Sequence, residues 1–155
     1  MKKQLWALGA AVFFVTTPAW ADDVKQEGEK VIASYIECIA KHDPACVASL
    51  YSKEGVQLNP GGLVTDIKAA YETNFKNGED HIETRLGHIW VLNNDLTVSE
   101  GETDIFGKNP KTGEATKTTV FWGATSIRED GELKIRMLTV GIKPPPAKEA
   151  DAANK

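Results

Sequence analysis

The order of elements between residues 30 and 76 constrains the fold of this chain more than any other feature. Apolar residues at helical spacing predict two helices joined at His42-Asp43-Pro44, where Asp is a favoured N-cap and Pro a favoured first helical residue. A short strand over residues 55–58 then runs into the turn Asn59-Pro60-Gly61-Gly62. A third amphipathic helix follows over residues 67–76, so helices are expected to precede the main sheet.

The first helix is predicted over residues 24–41, and the second is predicted to stop near Gly55. From residue 81 onward, alternating apolar residues predict strands over residues 82–92, 96–106, 115–128 and 132–142. In the first of these strands, residues 82, 84, 86, 88 and 90 are predicted to share one face. The chain is therefore predicted to be α+β, with three N-terminal helices packed on a curved, mostly antiparallel β-sheet that forms a cone with an internal pocket.

The first 21 residues are predicted to be a signal peptide. Lys2 and Lys3 precede an apolar core over residues 5–16, and Ala19-Trp20-Ala21 matches the small-x-small cleavage rule. A membrane anchor is the alternative, but about twelve apolar residues are too few to span a bilayer about 30 Å thick. We expect a periplasmic or secreted protein with one domain over residues 22–142 and a disordered tail over residues 143–155.

Charge and motifs narrow the classes of partner. The formal net charge of the chain is −4, with no basic stripe, which argues against nucleic acid and, once the signal is cleaved, against membrane surfaces. No glycine-rich phosphate loop, Ser-His-Asp order or cofactor fingerprint is present, so no cofactor is expected. The remaining candidates are a small-molecule ligand and a second copy of the chain.

The two cysteines lie on either side of the predicted helical hairpin, Cys38 in the last turn of the first helix and Cys46 in the first turn of the second. In an exported protein such a pair usually forms a disulfide, worth about 2.5 kcal/mol for so short a loop. Two buried thiols on the helix faces are the alternative. Two cysteines without clustered histidines do not predict a metal site.

The chain resembles the nuclear transport factor 2-like superfamily, and within it the SnoaL-like and DUF4440 groups and the association domain of calmodulin-dependent kinase. The resemblance covers roughly residues 24–142. It implies a curved sheet wrapped by three helices, usually dimeric, in a superfamily that includes enzymes and non-enzymatic binding or assembly modules. The residues that carry it, in order, are Tyr35, His42-Asp43, Leu50-Tyr51, Gly55-Val56, Asn59-Pro60 and residues 67–75.

The resemblance allows the catalytic residues of ketosteroid isomerase to be compared one at a time. Tyr35 matches the tyrosine that donates a hydrogen bond to the developing oxyanion. Asn59, before Pro60, stands where the family has its aspartate base, and an amide cannot accept a proton near neutral pH. Gly123 stands near the position of the family's protonated aspartic acid. The resemblance therefore implies that this protein does not isomerise steroids by that mechanism.

Other residues have both a functional and a purely structural interpretation. His88 is a candidate proton carrier or a core or interface residue, and Arg136 is a candidate anion-binding residue or a solvated charge. One strand face carries three acidic residues, Glu100, Glu102 and Asp104. This pattern is more typical of a solvated surface than of a metal site. Trp90, Phe121 and Trp122 are core, interface or pocket-wall residues. The predicted ligand pocket comprises Tyr35, Asn59, Tyr71, Phe75, His88, Trp90, Phe121 and Arg136.

Two functions follow from this pattern. The leading interpretation is an exported SnoaL-like domain that binds a small apolar or amphipathic ligand, or acts as a dimeric assembly module. Because both faces of the last two strands carry apolar residues, a homodimer through the open sheet face, centred on residues 115–142, is expected. The alternative is an isomerase, cyclase or lyase that uses Tyr35 as hydrogen-bond donor and His88 as proton carrier. A titratable group facing the same cavity as Tyr35 would favour the enzyme.

Overall fold

Three helices precede the four long strands in the computed structural model, which describes residues 19–144. Helix α1 spans Ala19–Ala40, α2 spans Pro44–Ser49 and α3 spans Ile67–Lys76. Residues 1–18 of the predicted signal peptide, and the predicted tail from residue 145 onward, lie outside the described residues. No helix within the described range is long and apolar enough to cross a membrane.

Within this described range, six strands form one sheet in the order β2-β1-β6-β5-β4-β3. Strand β1 pairs parallel with β6, and the other neighbouring strands pair antiparallel. The sheet is curved and unclosed, and α1 packs across it, mainly against β3. The predicted α+β fold is therefore confirmed. The strands are β1 Tyr51–Asn59, β2 Gly62–Val64, β3 Glu79–Asn93, β4 Leu96–Lys108, β5 Ala115–Glu129 and β6 Glu132–Ile142.

The prediction that the second helix reaches Gly55 is wrong, because pairing with β6 overrides helical spacing. Helix α2 ends at Ser49, and Tyr51 already lies opposite Ile135 of β6. The Ile135 amide donates a 2.8 Å hydrogen bond to the carbonyl of Leu50. Gly55 sits at an irregularity in this pairing, where a Cβ atom would lie 2.7 Å from the Ile135 carbonyl oxygen.

A β-bulge at Gly87 moves the side chains of the second half of β3 to the opposite face of the sheet. Leu86 lies opposite Gly101 of β4 and His88 lies opposite Glu100, so Gly87 is one residue more than β4 supplies. An extra residue moves every later side chain to the opposite face. The predicted common face over residues 82–90 is therefore wrong: Ile82 and Thr84 face the concave side of the sheet, whereas His88 and Trp90 face outward.

Strand β6 contains a second irregularity, at Arg136. Ile135 lies opposite Ser126 of β5, and Met137 lies opposite the adjacent Thr125, so Arg136 has no partner in the register. Ile135 and Leu138 consequently line the concave side although they are three residues apart. The predicted alternation of Arg136 with Leu138 and Val140 therefore does not place Arg136 in a pocket.

The α1–α2 hairpin carries the predicted disulfide. Cys38 and Cys46 are bonded, and Cys38 lies in the buried core beside Ile39 and Val47. Asp43 caps α2, its carboxylate accepting a 2.9 Å hydrogen bond from the Cys46 amide. The bond and the cap together hold the turn that carries His42, a residue with positive φ.

Candidate functional site

A cavity lies between α1, α3 and the concave face of the sheet. Its volume is about 120 Å³. Apolar cavities of roughly this volume hold a molecule the size of benzene, and the walls of ligand pockets are typically apolar with a few polar groups. The apolar wall is formed by side chains of α1 and four strands, among them Val31, Ile32, Ile39, Ile82, Ile89, Ile105, Val120, Leu138 and Val140.

Three tyrosines and a glutamine form a buried polar cluster at this cavity. The hydroxyls of Tyr35 on α1 and Tyr71 on α3 are hydrogen-bonded to each other. The side-chain oxygen of Gln57 on β1 accepts hydrogen bonds from Tyr71 at 3.3 Å and from Tyr51 at 3.4 Å. Burial, and then the neighbouring tyrosines, raise the pKa of Tyr35 well above its ordinary value, so its hydroxyl stays neutral.

Glu79 brings a titratable group into the same cavity. It is the first residue of β3 and lines the cavity with Asn74 of α3, Tyr35 and Tyr71. Burial raises the pKa of Glu79, whereas a hydrogen bond with Asn74 and the nearby His42 lower it by a smaller amount. The carboxyl group therefore takes up a proton more readily than an exposed glutamate does.

Trp122 lines the cavity and carries a buried hydrogen-bond donor. Its indole lies over Gly101 of the neighbouring strand, where a Cβ atom would come 2.7 Å from the indole ring. The indole nitrogen is buried and has no hydrogen-bond partner among the described residues. A buried donor without a partner costs about 1–3 kcal/mol.

Of the eight predicted pocket residues, Tyr35 and Tyr71 line the cavity. Asn59 does not, because its side-chain oxygen accepts a 2.9 Å hydrogen bond from the Gly61 amide and holds the turn between β1 and β2. Phe75 packs behind the cavity, with its ring stacked on His42 at 4.9 Å between centroids. The position opposite the tyrosines is held by Gln57 rather than Asn59.

The other four predicted pocket residues lie outside the cavity. His88 has a side chain 74% exposed on the outer face, where its ring stacks on Trp90. Phe121 lies on the same face as these two, and Arg136 pairs with Glu54 at 3.1 Å. The predicted pairing of Tyr35 with His88 is therefore wrong, since the bulge at Gly87 puts the sheet between them.

Gly123, the position matched to the family's protonated aspartic acid, does not line the cavity. Gly123 pairs with Glu100 on the outer face, and its strand neighbours Trp122 and Ala124 line the cavity instead. Neither neighbour carries a carboxyl group. The structure thus places no acid of that kind on this part of the cavity wall.

Glu100, Glu102 and Asp104 share the outer face of β4, but Asp104 is not solvated as predicted. Its carboxylate accepts hydrogen bonds from Arg85 at 2.9 Å and Thr119 at 2.6 Å, and pairs with Lys117 at 3.1 Å. Arg85 first, then Thr119 and Lys117, hold the pKa of Asp104 far below its ordinary value. Among residues 19–144, no three His, Cys, Asp or Glu side chains are grouped as a metal site requires.

Gln57 and Glu79 are the site residues that sequence reasoning missed. Gln57 lies within the short predicted strand over residues 55–58. The alternation of side chains along that strand is the signal that could have identified Gln57 as a residue of the cavity face. Glu79 follows the helix-ending Asn77-Gly78 and precedes Asp80, and such an acidic pair after a glycine is typical of an exposed turn. The packing of α3 against β3 is what encloses Glu79.

Comparison with solved structures supports the fold. No protein-family model matches the chain, and no curated protein resembles it in sequence. A nuclear transport factor 2-like superfamily protein from Salmonella enterica superposes with a TM-score of 0.66 at 21% identity, covering 86% of this chain and 99% of that one. A ketosteroid isomerase-like protein from Erwinia carotovora atroseptica gives 0.69 at 16% identity, covering 76% and 94%.

A hexachlorocyclohexane dehydrochlorinase gives a TM-score of 0.70 at 10% identity, covering 83% of this chain and 98% of that one. At such identities the likeness concerns the fold, which unrelated activities share. The chain therefore has the nuclear transport factor 2-like fold that its sequence resembles.

Proposed function

We propose that this domain binds a small, largely apolar molecule that carries a hydrogen-bond acceptor. The observation that carries the proposal is the apolar cavity with Trp122 on its wall, whose buried indole nitrogen has no hydrogen-bond partner among the described residues. An apolar molecule gains about 25 cal/mol for each Å² removed from water, and an acceptor beside Trp122 removes the cost of the unpaired donor. Small-molecule binding therefore accounts for both the apolar wall and the indole.

Cyclohexanone and methylcyclohexane test this proposal, because they are similar in size and only the ketone has an acceptor. We expect cyclohexanone to bind about two- to tenfold more tightly, the effect of one hydrogen bond. Trp122 emission should change during the titration, and Trp122→Phe should remove both the signal and the preference. Trp90→Phe, on the outer face, is the matched control and should leave both intact. Equal affinity for the two probes would contradict the role of Trp122.

An isomerase, cyclase or lyase is the second candidate function. The specific observation that favours it is Glu79, a titratable group in the cavity that contains Tyr35. In this alternative Glu79 takes the place of His88 as proton carrier. Repeating the cyclohexanone titration in D₂O separates the candidates, since a proton-transferring site would speed deuterium exchange beside the carbonyl and a binding site would not.

We also propose that the domain assembles as a homodimer through the outer face of the sheet. Large apolar side chains are exposed on this face across five of the six strands, namely Leu58, Leu63, Trp90, Phe121 and Met137. Paired positions show that they share one face: Leu58 lies opposite Leu63, and Met137 and Trp90 lie in one cross-strand row through Thr125 and Val98. A two-fold dimer would cover this apolar surface with its own copy.

Export to the periplasm or the medium is the third element of the proposal. It rests on the basic start, the short apolar core and the Ala19-Trp20-Ala21 site. Intact-mass analysis of protein from the periplasm of the producing cell should find a chain that begins at Asp22. Recovery of the full-length chain from the cytosol alone would contradict the prediction.

A further inference from the structure

Glu79 is the only carboxyl group that lines the cavity within residues 19–144. Four elements meet around it: α1 with Tyr35, the α1–α2 turn with His42, α3 with Tyr71 and Asn74, and the start of β3. Its backbone position is held by the neighbouring Gly78, whose carbonyl oxygen accepts a 2.9 Å hydrogen bond from the Lys108 amide. The carboxyl group is thus part of the cavity wall rather than of a loose turn.

No cationic side chain in the described part of the chain forms an ion pair with Glu79. Its neighbour His42 instead places Nε2 2.8 Å from the Asp80 carbonyl oxygen and 3.7 Å from the Asp80 carboxylate. Asp104, the buried acid on the outer face, is by contrast held by both Arg85 and Lys117. Partly buried carboxylates are ordinarily paired, because removing a charge from water is costly.

We propose that the ligand of this cavity carries an ammonium group that pairs with Glu79. The inference rests on the proposed small-molecule function and adds a second polar group to its ligand: an otherwise apolar molecule carries a primary amine at Glu79 in addition to the acceptor beside Trp122. An ammonium group has three N–H donors, and the surroundings offer the Glu79 carboxylate, the Asn74 side-chain oxygen and the tyrosine hydroxyl oxygens as acceptors. The apolar remainder of the ligand lies against the aliphatic wall of the cavity.

The titration behaviour of Glu79 agrees with this geometry. Burial raises the pKa of its carboxyl group, so ionisation there is disfavoured. A bound ammonium group would favour the ionised form and lower that pKa. Amine binding at a pH near the raised pKa therefore releases a proton, and amine affinity falls as pH drops through that pKa. Tyr35, Tyr71 and His42 are the other titratable groups that face Glu79.

Three probes of one shape test the inference by calorimetry: cyclohexylmethylamine, cyclohexylmethanol and cyclohexanecarboxylate. We expect the amine to bind about ten- to hundredfold more tightly than the alcohol, as a hydrogen bond to a charged group predicts, and the carboxylate to bind weakest. Titration in two buffers of different ionisation enthalpy should detect the released proton. Glu79→Gln should abolish both the amine preference and the proton release.

Glu100→Gln is the matched control, because Glu100 is a partly buried acid on the opposite face of the sheet. It should leave the amine preference unchanged. If Glu79→Gln does not fold, the pH dependence of binding to the wild-type protein tests the inference instead. We then expect amine affinity to fall and alcohol affinity to stay constant as pH is lowered. Alcohol binding equal to or tighter than amine binding overturns this inference and leaves the proposed function standing. Binding of none of the three probes overturns both.

Discussion

Replacing Phe121 by glutamate is expected to halve the mass of the protein in solution. Phe121 is 52% exposed on the outer face of the sheet, with its ring lying over Gly141 of β6. In the proposed dimer this ring meets the partner copy, and a glutamate at this position would bury one charge from each copy in the interface. A buried, unpaired charge costs several kcal/mol, and each 1.4 kcal/mol weakens association tenfold, so the dimer is expected to dissociate at micromolar concentration.

Light scattering at micromolar concentration measures the effect, with about twice the chain mass expected for the wild type and the chain mass for Phe121→Glu. Ile142→Glu is the matched control, since Ile142 is 57% exposed but pairs with Val120 on the concave side. This control should remain dimeric. A wild-type monomer, or a dimer that survives the Phe121 change, would mean that the outer face is not the interface.

Replacing Gly78 by alanine is expected to destabilise the fold strongly, although the change adds only one methyl group. Gly78 has a φ of +95°, which L-residues rarely adopt, and a Cβ atom would overlap the carbonyl oxygen of Lys108. The strained conformation alone costs about 1–2 kcal/mol. Displacing Lys108 also breaks the hydrogen bond that joins the ends of β3 and β4, so we expect a total loss of about 3 kcal/mol or more.

Gly131→Ala separates the two contributions. Gly131 has a similar φ of +86°, but no atom of residues 19–144 lies within 4 Å of the position its Cβ would take. Urea unfolding should therefore show a loss of about 1–2 kcal/mol for Gly131→Ala and a clearly larger loss for Gly78→Ala. Equal losses would show that the overlap with Lys108 relaxes at little cost. Because Gly78 precedes Glu79, the same variant also tests how firmly the site depends on this turn.

Local patterns in the sequence are sufficient to predict most elements of the fold, but not the end of α2 or the strand β2. The Asp-Pro signal at the start of α2, the span of α3 and the hairpin at Asp130-Gly131 depend on neighbouring residues, and the structure contains all three. The disulfide is predictable for the same reason, since Cys38 and Cys46 flank one tight helical turn. These features are decided by capping, turn geometry and short loops, which act within a few residues.

The composition of the cavity is decided by tertiary structure. One extra residue at Gly87 and another at Arg136 change which side chains face inward, and such bulges follow from pairing with a distant strand rather than from the local pattern. The alternation in the sequence consequently predicts the wrong face for His88, Trp90 and Arg136. It does not identify Glu79, because only the packing of α3, α1 and β3 around this residue turns an apparent surface acid into a cavity carboxyl group.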